Sequence, residues 1–400
     1  MSGTRTRIKA RQSIGVGMIG TKFMGKAHSN AWSSAGQFFK LPRALKMHVI
    51  AGRNASETAS FALQWGWEHA TTDWKELLND PDVDLVDVCT PNNLHAEMSI
   101  EALAAGKHVA CEKPLAGTLE DARKMKKAAQ AAKRKGIQTF VWFNYRRVPA
   151  VAFAHQLVKK GKLGRIFHVR ANYLQDWGHG DTPLVWRFDA SQAGSGAHGD
   201  LNAHIIDATR FITGDEITEV SGAIEKTFIE ERAIPGSPSR GKRKARTMKS
   251  TVDDCVLFLA RFKGGAVASY EATRLATGNQ NRNTIEINGE KGAIRFDFER
   301  MNELQWWDNT LPSAMQGWSR IMCTNANDHP YIDAYWPPAH GLGYEHGFVS
   351  QSADIAKVIS RRKPVVALPD FSDAYETQRV LEAAVISART GSRVLISKVR

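Results

Sequence analysis

Through residue 143 the sequence alternates short apolar runs with amphipathic stretches, a rhythm that restricts the chain to parallel strands joined by covering helices. Runs at 14–19, 47–51, 85–89, 108–111 and 139–143 read as strands, with helices expected at 56–64, 94–105 and 119–135. Gly106 and Gly136 stop the second and third helices. In an open parallel sheet, ligands settle beyond the carboxyl ends of the strands. Those ends carry Gly20, then Gly52-Arg53-Asn54, then Thr90-Pro91-Asn92-Asn93 with His95 close behind, then Glu112-Lys113-Pro114, and finally Asn144-Tyr145-Arg146. Chance would scatter such residues over both rims. They crowd one, which argues for a dinucleotide crevice.

The glycines near the start set a register trap. Gly15-Val16-Gly17-Met18-Ile19-Gly20 spells G-x-G-x-x-G, but that reading puts Lys9, Arg11, Gln12 and Ser13 inside a buried strand. The better register makes 14–19 the strand and Gly20-Thr21-Lys22-Phe23-Met24-Gly25 the turn into a helix. Gly20 then permits the tight turn, Gly25 permits close helix–strand packing, and the helix N-terminus faces a pyrophosphate. Lys22 stands where the middle glycine of such loops usually lies. The second strand end offers Arg53 and no acid, which leaves NAD and NADP both open.

After residue 144 the rhythm changes. Runs at 166–173, 219–227, 255–262, 266–272, 284–287 and 293–298, several joined by glycine turns, read as a largely antiparallel sheet. Helices near 149–160, 200–213, 345–360 and 372–390 would cover one face of it. The expected organisation is a basic tail at 1–12, an α/β dinucleotide-binding unit at 13–143, and a substrate-binding and oligomerisation unit of α+β type at 144–400.

The formal charge of +13 invites a nucleic-acid reading. Ten of those charges fall in the acid-free segments 1–12 and 240–249, which leaves +3 for the rest. The excess is a tail and a Pro/Gly/Ser-flanked loop rather than a binding face, so no nucleic-acid partner is expected. No run approaches the roughly 20 apolar residues of a membrane span, and the N-terminus lacks the apolar core of a secretory signal. Cys89, Cys111, Cys255 and Cys323 form no C-x-x-C pair and no zinc or haem spacing, which fits a reducing, cytoplasmic setting without a bound metal.

The chain resembles the Gfo/Idh/MocA oxidoreductases, the family of glucose–fructose oxidoreductase and inositol dehydrogenase. The resemblance rests on GTKFMGKAHSNAW at 20–32, CTPNNLH at 89–95, AGKHVACEKPLA at 105–116, NYRRVPA at 144–150 and GSGAHGDLNAHIID at 194–207. It continues through IEINGEKGAIRFDFERMN at 285–302 and PPAHGLGYEHGF at 337–348, and so spans nearly the whole chain. It implies a Rossmann domain followed by a domain with an open, mainly antiparallel sheet, often used for homo-oligomer contacts in dimers or tetramers. It also implies a nicotinamide cofactor, leaning to NAD. Lys113 would contact a reacting hydroxyl, Pro114 would follow a cis peptide bond, and Asp200 and His204 would complete the catalytic set. The 337–348 stretch is similar to that of members acting on sugars and glycosides.

The chemistry of these side chains agrees with that implication. Hydride removal from a secondary alcohol needs a base for the hydroxyl proton and a cation for the developing alkoxide. Asp200 and His204 lie four apart, on one face of a helix. His204 is the candidate base, Asp200 would orient it or share the proton, and Lys113 would polarise the oxygen. Read without the resemblance, Asp200 and His204 could equally be a capping acid and a satisfied histidine, or two metal ligands. Gly20, Lys22, Phe23, Met24, Gly25, Arg53, Thr90, Pro91, Asn92, His95, Glu112 and Lys113 are the expected cofactor contacts. Tyr145, Arg146, Trp177, His198, Trp306 and His340 are expected to join Lys113, Asp200 and His204 around a sugar or polyol, with Trp307 and Trp336 as further aromatic candidates. Two other functions remain open: a glycosidase or lyase that uses tightly held NAD without net redox change, and a nicotinamide-sensing protein without catalysis.

Overall fold

Ile14, Val16 and Met18 are fully buried, and they form the centre of the first strand of the computed structural model, which describes residues 13–236 and 246–400. The basic tail 1–12 and residues 240–245 of the basic segment lie outside the described residues. The first half runs β1 (Ser13–Ile19), α1 (Phe23–Phe38), β2 (Ala44–Ala51), α2 (Ala55–Trp65), β3 (His69–Thr71), α3 (Glu76–Asn79), β4 (Leu85–Val88), α4 (His95–Ala104), β5 (His108–Cys111), α5 (Leu119–Lys133) and β6 (Thr139–Val141). Its strands make a parallel six-stranded sheet in the order β3-β2-β1-β4-β5-β6. Gly15 and Gly17 lie inside β1, and the turn begins at Gly20 with φ +120°, as the second register requires. A Cβ on Gly25 would stand 2.4 Å from the Gly20 carbonyl oxygen, so only glycine lets α1 start this close to β1.

The second half contains α6 (Pro149–Lys159), β7 (Ile166–Leu174), α7 (Ala190–Ala193), α8 (Ala203–Thr213), β8 (Ile217–Lys226), β9 (Glu231–Ala233), β10 (Thr247–Lys249), β11 (Cys255–Phe262) and β12 (Val267–Thr273). It continues through β13 (Arg282–Gly289), β14 (Gly292–Asp297), β15 (Glu303–Asp308), β16 (Ser319–Met322), α9 (Tyr344–Ile359), α10 (Phe371–Thr390) and β17 (Val394–Leu395). Nine of these strands form one sheet in the order β16-β15-β14-β13-β7-β12-β11-β8-β17. Within it β12 and β7 run parallel, and the other neighbours run antiparallel. α6 and α8 pack together on this sheet, whereas α9 packs on α1 and α10 lies between β8 and α5. The last two helices therefore cover the first half as well as the second, which corrects the expectation that all four serve one face. The backbone of Val141 confirms the junction by donating to the Pro369 carbonyl oxygen at 2.9 Å. Among the described residues no helix is long and apolar enough to cross a membrane.

One polar cluster is sealed inside the first half. Asp87, on the central strand β4, accepts from Trp32 Nε1 at 2.7 Å, from Trp142 Nε1 at 2.9 Å and from His28 Nδ1 at 2.9 Å. The other ring nitrogen of His28 meets Glu112 Oε1 at 3.0 Å. Burial alone would push the His28 imidazole down, but the Asp87 and Glu112 carboxylates outweigh it and raise it to about 9. In the unfolded chain the ring titrates near 6.5. The protonated ring therefore contributes its full stability below pH 6.5, and that contribution drains away as the pH rises through about 9. Relative to a His28→Gln variant, the unfolding free energy should fall by roughly 1.4 kcal/mol per pH unit inside that window, measured by denaturant titration at each pH. Parallel curves for the two proteins would remove the buried imidazolium from the account.

Candidate active site

A trough of about 630 Å³ runs along the carboxyl ends of β1, β2 and β4. Gly20, Phe23, Met24, Arg53, Thr90 and Pro91 line it. α1 starts at its floor with neither a side-chain cap nor an acid in its first turn, so the first backbone N–H groups are open to an anion. The Thr90 hydroxyl, buried and without a partner, is a second polar group left for a ligand. These features fit a dinucleotide with its pyrophosphate at the helix end.

Lys22 also lines the trough, but its amino group turns to Glu57 Oε2 at 3.0 Å instead of lying over the helix N-terminus. Asn92 donates to the Ala193 carbonyl oxygen at 2.9 Å and borders a small cavity that continues the trough. His95 is not among the residues that line the trough or its continuation. Its two nitrogens lie 3.1 Å from the Pro114 and 3.0 Å from the Thr90 carbonyl oxygens, where it braces the strand ends. Gly25 acts on the trough only through the packing of α1.

Where the trough ends, a second cavity of about 580 Å³ opens between the two sheets. Phe23, Met24 and Arg187 border both spaces. Lys113 follows β5, and the bond from Lys113 to Pro114 is cis. Its Nζ donates to Asp200 Oδ1 at 2.8 Å and to the Asp200 carbonyl oxygen at 3.1 Å. Asp200 Oδ2 accepts from Arg274 at 2.9 Å. Burial would raise the Asp200 carboxyl, but the charges of Lys113 and Arg274 prevail and hold it well below the usual carboxylate range. Glu112 lines the same cavity, and its Oε2 accepts from the Lys113 backbone N–H at 3.0 Å.

His204 enters the cavity from the first turn of α8, which follows directly on the wide π-type turn (His198–Asn202) that contains Asp200. The Tyr145 ring stacks on the imidazole at 4.3 Å and 19°. Burial, aided by the Lys113 charge, holds His204 well below the ordinary imidazole value, so the ring is neutral at neutral pH. Its Nδ1 is buried without a partner. The Asp200 carboxylate is tied to Lys113 and Arg274 rather than to the His204 ring.

Tyr145 and Trp177 line the cavity with the three central residues, whereas four other expected substrate contacts lie elsewhere. Arg146 is buried on the far side of its turn, bound to Asp207 at 2.8 Å and to Asp373 at 2.6 Å. His198 is sealed in the core, with Nε2 2.9 Å from the Leu381 carbonyl oxygen. Trp306 packs over Gly292 on the neighbouring strand, and His340 is exposed beside the Pro337 carbonyl oxygen. Trp307 pairs with Trp318, and Trp336 pairs with Phe38.

In their place the cavity takes Tyr173, Gln175, Arg187, Asn281, Tyr344 and Phe348. Tyr145, Tyr173, Asn281 and Gln175 form one hydrogen-bonded row with each link at 2.8 Å. Tyr344 and Phe348 fall within the matched 337–348 segment and could have been named from it. Arg187 lies in the irregular chain between β7 and α7, where no periodicity announces direction.

Comparison with known proteins gives the same picture. Residues 14–140 match the oxidoreductase family with an NAD-binding Rossmann fold, and residues 151–295 match the GFO/IDH/MocA C-terminal domain. Levoglucosan dehydrogenase of Pseudarthrobacter phenanthrenivorans is 41% identical over 396 residues, covering 97% of this chain and 99% of the relative. A levoglucosan dehydrogenase solved with NADH and levoglucosan is 40% identical with a TM-score of 0.89, over 97% of this chain and 100% of its own. An oxidoreductase domain protein from Kribbella flavida is 48% identical with a TM-score of 0.91, over 96% and 99% of the two chains. Similarity to dehydrogenases favours net hydride transfer over a cycle without redox change. By its sequence along almost the full length, and by both of its sheets, the chain belongs to the Gfo/Idh/MocA family of NAD-dependent oxidoreductases.

Proposed function

We propose that this protein oxidises a secondary hydroxyl of a compact pyranose sugar, with the 1,6-anhydro sugar levoglucosan as the leading substrate. The observation that carries this reading is the Lys113–Asp200 contact at 2.8 Å beside a neutral His204, in one cavity that opens onto the dinucleotide trough. The substrate hydroxyl oxygen sits against Lys113 Nζ, whose positive charge favours the ionised form. Asp200, held as a carboxylate by Lys113 and Arg274, fixes the direction of that amino group. His204 takes the hydroxyl proton, with its ring plane set by Tyr145. The nicotinamide, when bound, accepts the hydride. Trp142, Tyr344 and Phe348 supply apolar wall that excludes water from the reacting carbon, and the row from Tyr145 to Gln175 offers acceptors and donors for the other hydroxyls.

The two functional units are assigned to 13–143 and 144–400. The outer face of the nine-stranded sheet, which exposes Ile224, Leu257, Leu259 and Val267, is assigned to contacts between copies of the chain. Four free thiols accord with a reducing cytoplasm.

Purified protein given NAD+ should release NADH with levoglucosan and with pyranosides that present the same hydroxyl, in a panel that also contains inositols and free monosaccharides. No reduced cofactor with any of them would sink the proposal. The base must be unprotonated, and burial lowers His204, so kcat/KM should hold steady from pH 8 down to 6.5 and fall only at lower pH. His204→Ala should lose roughly 10²–10⁴-fold in kcat/KM and should abolish that acid limb.

A further inference from the structure

Dinucleotide sites that choose NAD over NADP usually place an acid at the end of the second strand, where it accepts from the adenosine ribose hydroxyls. This chain has Gly52 and Arg53 there, and Gly52 is not free to change. A Cβ at Gly52 would stand 2.3 Å from Thr58 Oγ1 and 3.0 Å from Thr21 Cγ2, because the exit of β2 is pressed between the α1 turn and the start of α2. Position 52 therefore cannot carry a carboxylate, and position 53 carries a cation in its place.

Among the described residues lining the trough, one carboxylate is present, and it is Glu57. Glu57 is the third residue of α2, and its backbone N–H is capped by Asn54 Oδ1 at 3.1 Å. Its side chain reaches across the trough to Lys22 Nζ at 3.0 Å. Both side chains are more than half exposed, so this ion pair adds little to stability and its value must lie elsewhere. Thr21, Lys22 and Glu57 also wall a shallow hollow on the far side, whose other lining includes Ser56, Ser60 and Gln64. The pair thus divides the adenosine end of the trough from a polar recess rich in hydrogen-bonding groups.

We propose that Glu57 is the specificity-determining residue for NAD over NADP, acting from the first turn of α2 in place of a strand-end acid. Its carboxylate accepts from the ribose hydroxyls, repels a 2′-phosphate, and holds Lys22 in a pair so that this cation is not offered to one. Among the described residues Arg53 then remains beside the second strand end without an ion pair, which is too little to reverse the preference.

Calorimetric titration of the full chain with NAD+ and with NADP+, without sugar, tests this independently of the substrate assignment. The wild-type protein should bind NAD+ more tightly. Glu57→Gln should move the ratio of the two dissociation constants toward NADP+ by about tenfold or more, and the shift should grow at low salt. Glu57→Asp, which keeps the charge, should retain the NAD+ preference. In the double variant Lys22→Gln/Glu57→Gln the part of the shift that comes from the released cation should be lost, while the part that comes from the missing carboxylate should remain. A wild-type protein indifferent to the 2′-phosphate, a ratio that moves less than about twofold in Glu57→Gln, or a double variant that returns fully to the wild-type ratio would overturn the proposal.

Discussion

The contact between Lys113 and Asp200 joins residues 87 positions apart and defines where the two sheets meet. Lys113 is delivered by the end of β5 in the parallel sheet, whereas Asp200 comes from the turn that leads into α8 beneath the antiparallel one. Removing two charges from water is costly, and a pair at this depth persists only when its remaining lone pairs and protons are also satisfied. Arg274 on the far carboxylate oxygen and the Asp200 carbonyl oxygen on the amino group do this. The Lys113–Asp200 pair is therefore one part of a charge network that also includes Arg274 from the second half. Arg274 extends that network by facing the rings of Trp177 and Phe188.

A second charged layer lies directly behind the first. Glu112 precedes Lys113 and looks both ways, accepting from the Lys113 backbone N–H and from His28. Through His28 it is tied to Asp87, which two indole N–H groups also hold. A flexible lysine gains precision from this arrangement. Its backbone is anchored by a carboxylate that cannot move without breaking a buried imidazolium contact, and its amino group is anchored by another carboxylate that cannot move without breaking Arg274. The positioning comes from ion pairs made costly to disturb by burial, not from stiffness of the side chain itself.

Much of this was legible in the sequence, and the failures have identifiable causes. Strand ends are legible because buried parallel strands are continuous apolar runs, so the first polar residue after each run marks the rim. That logic located Gly20, Arg53, Thr90 and Lys113 on the trough or the cavity. It does not say which way neighbouring side chains point once the strand has ended. At 144–147 the chain makes a tight 3-10 turn, so Tyr145 enters the cavity while Arg146 turns back to Asp207. The same limit applies at the π-type turn, where His198 and Asp200 are two residues apart and diverge into core and cavity. Short strands such as β3, β9, β10 and β17 were invisible because two or three residues carry no period. Trp306 was misplaced because an aromatic side chain is as useful for covering a glycine in a sheet as for stacking on a sugar.

The division of labour between Asp200 and His204 follows from dielectric environment more than from spacing. Four positions apart, the two were expected to work as a carboxylate–imidazole pair, which would raise the basicity of the ring and carry it toward the protonated state. The carboxylate instead bonds to two cations, and the imidazole, left among aromatic rings, feels the Lys113 charge more strongly than the opposing charge of Asp200. Both effects keep the ring unprotonated. A ring in that state is free to take the proton in the proposed reaction, and the lysine that lowers its basicity is the same group proposed to ease ionisation of the substrate hydroxyl. In the proposed transfer one positive charge thus acts on both partners in opposite senses, easing ionisation of the hydroxyl and weakening the imidazole as a base.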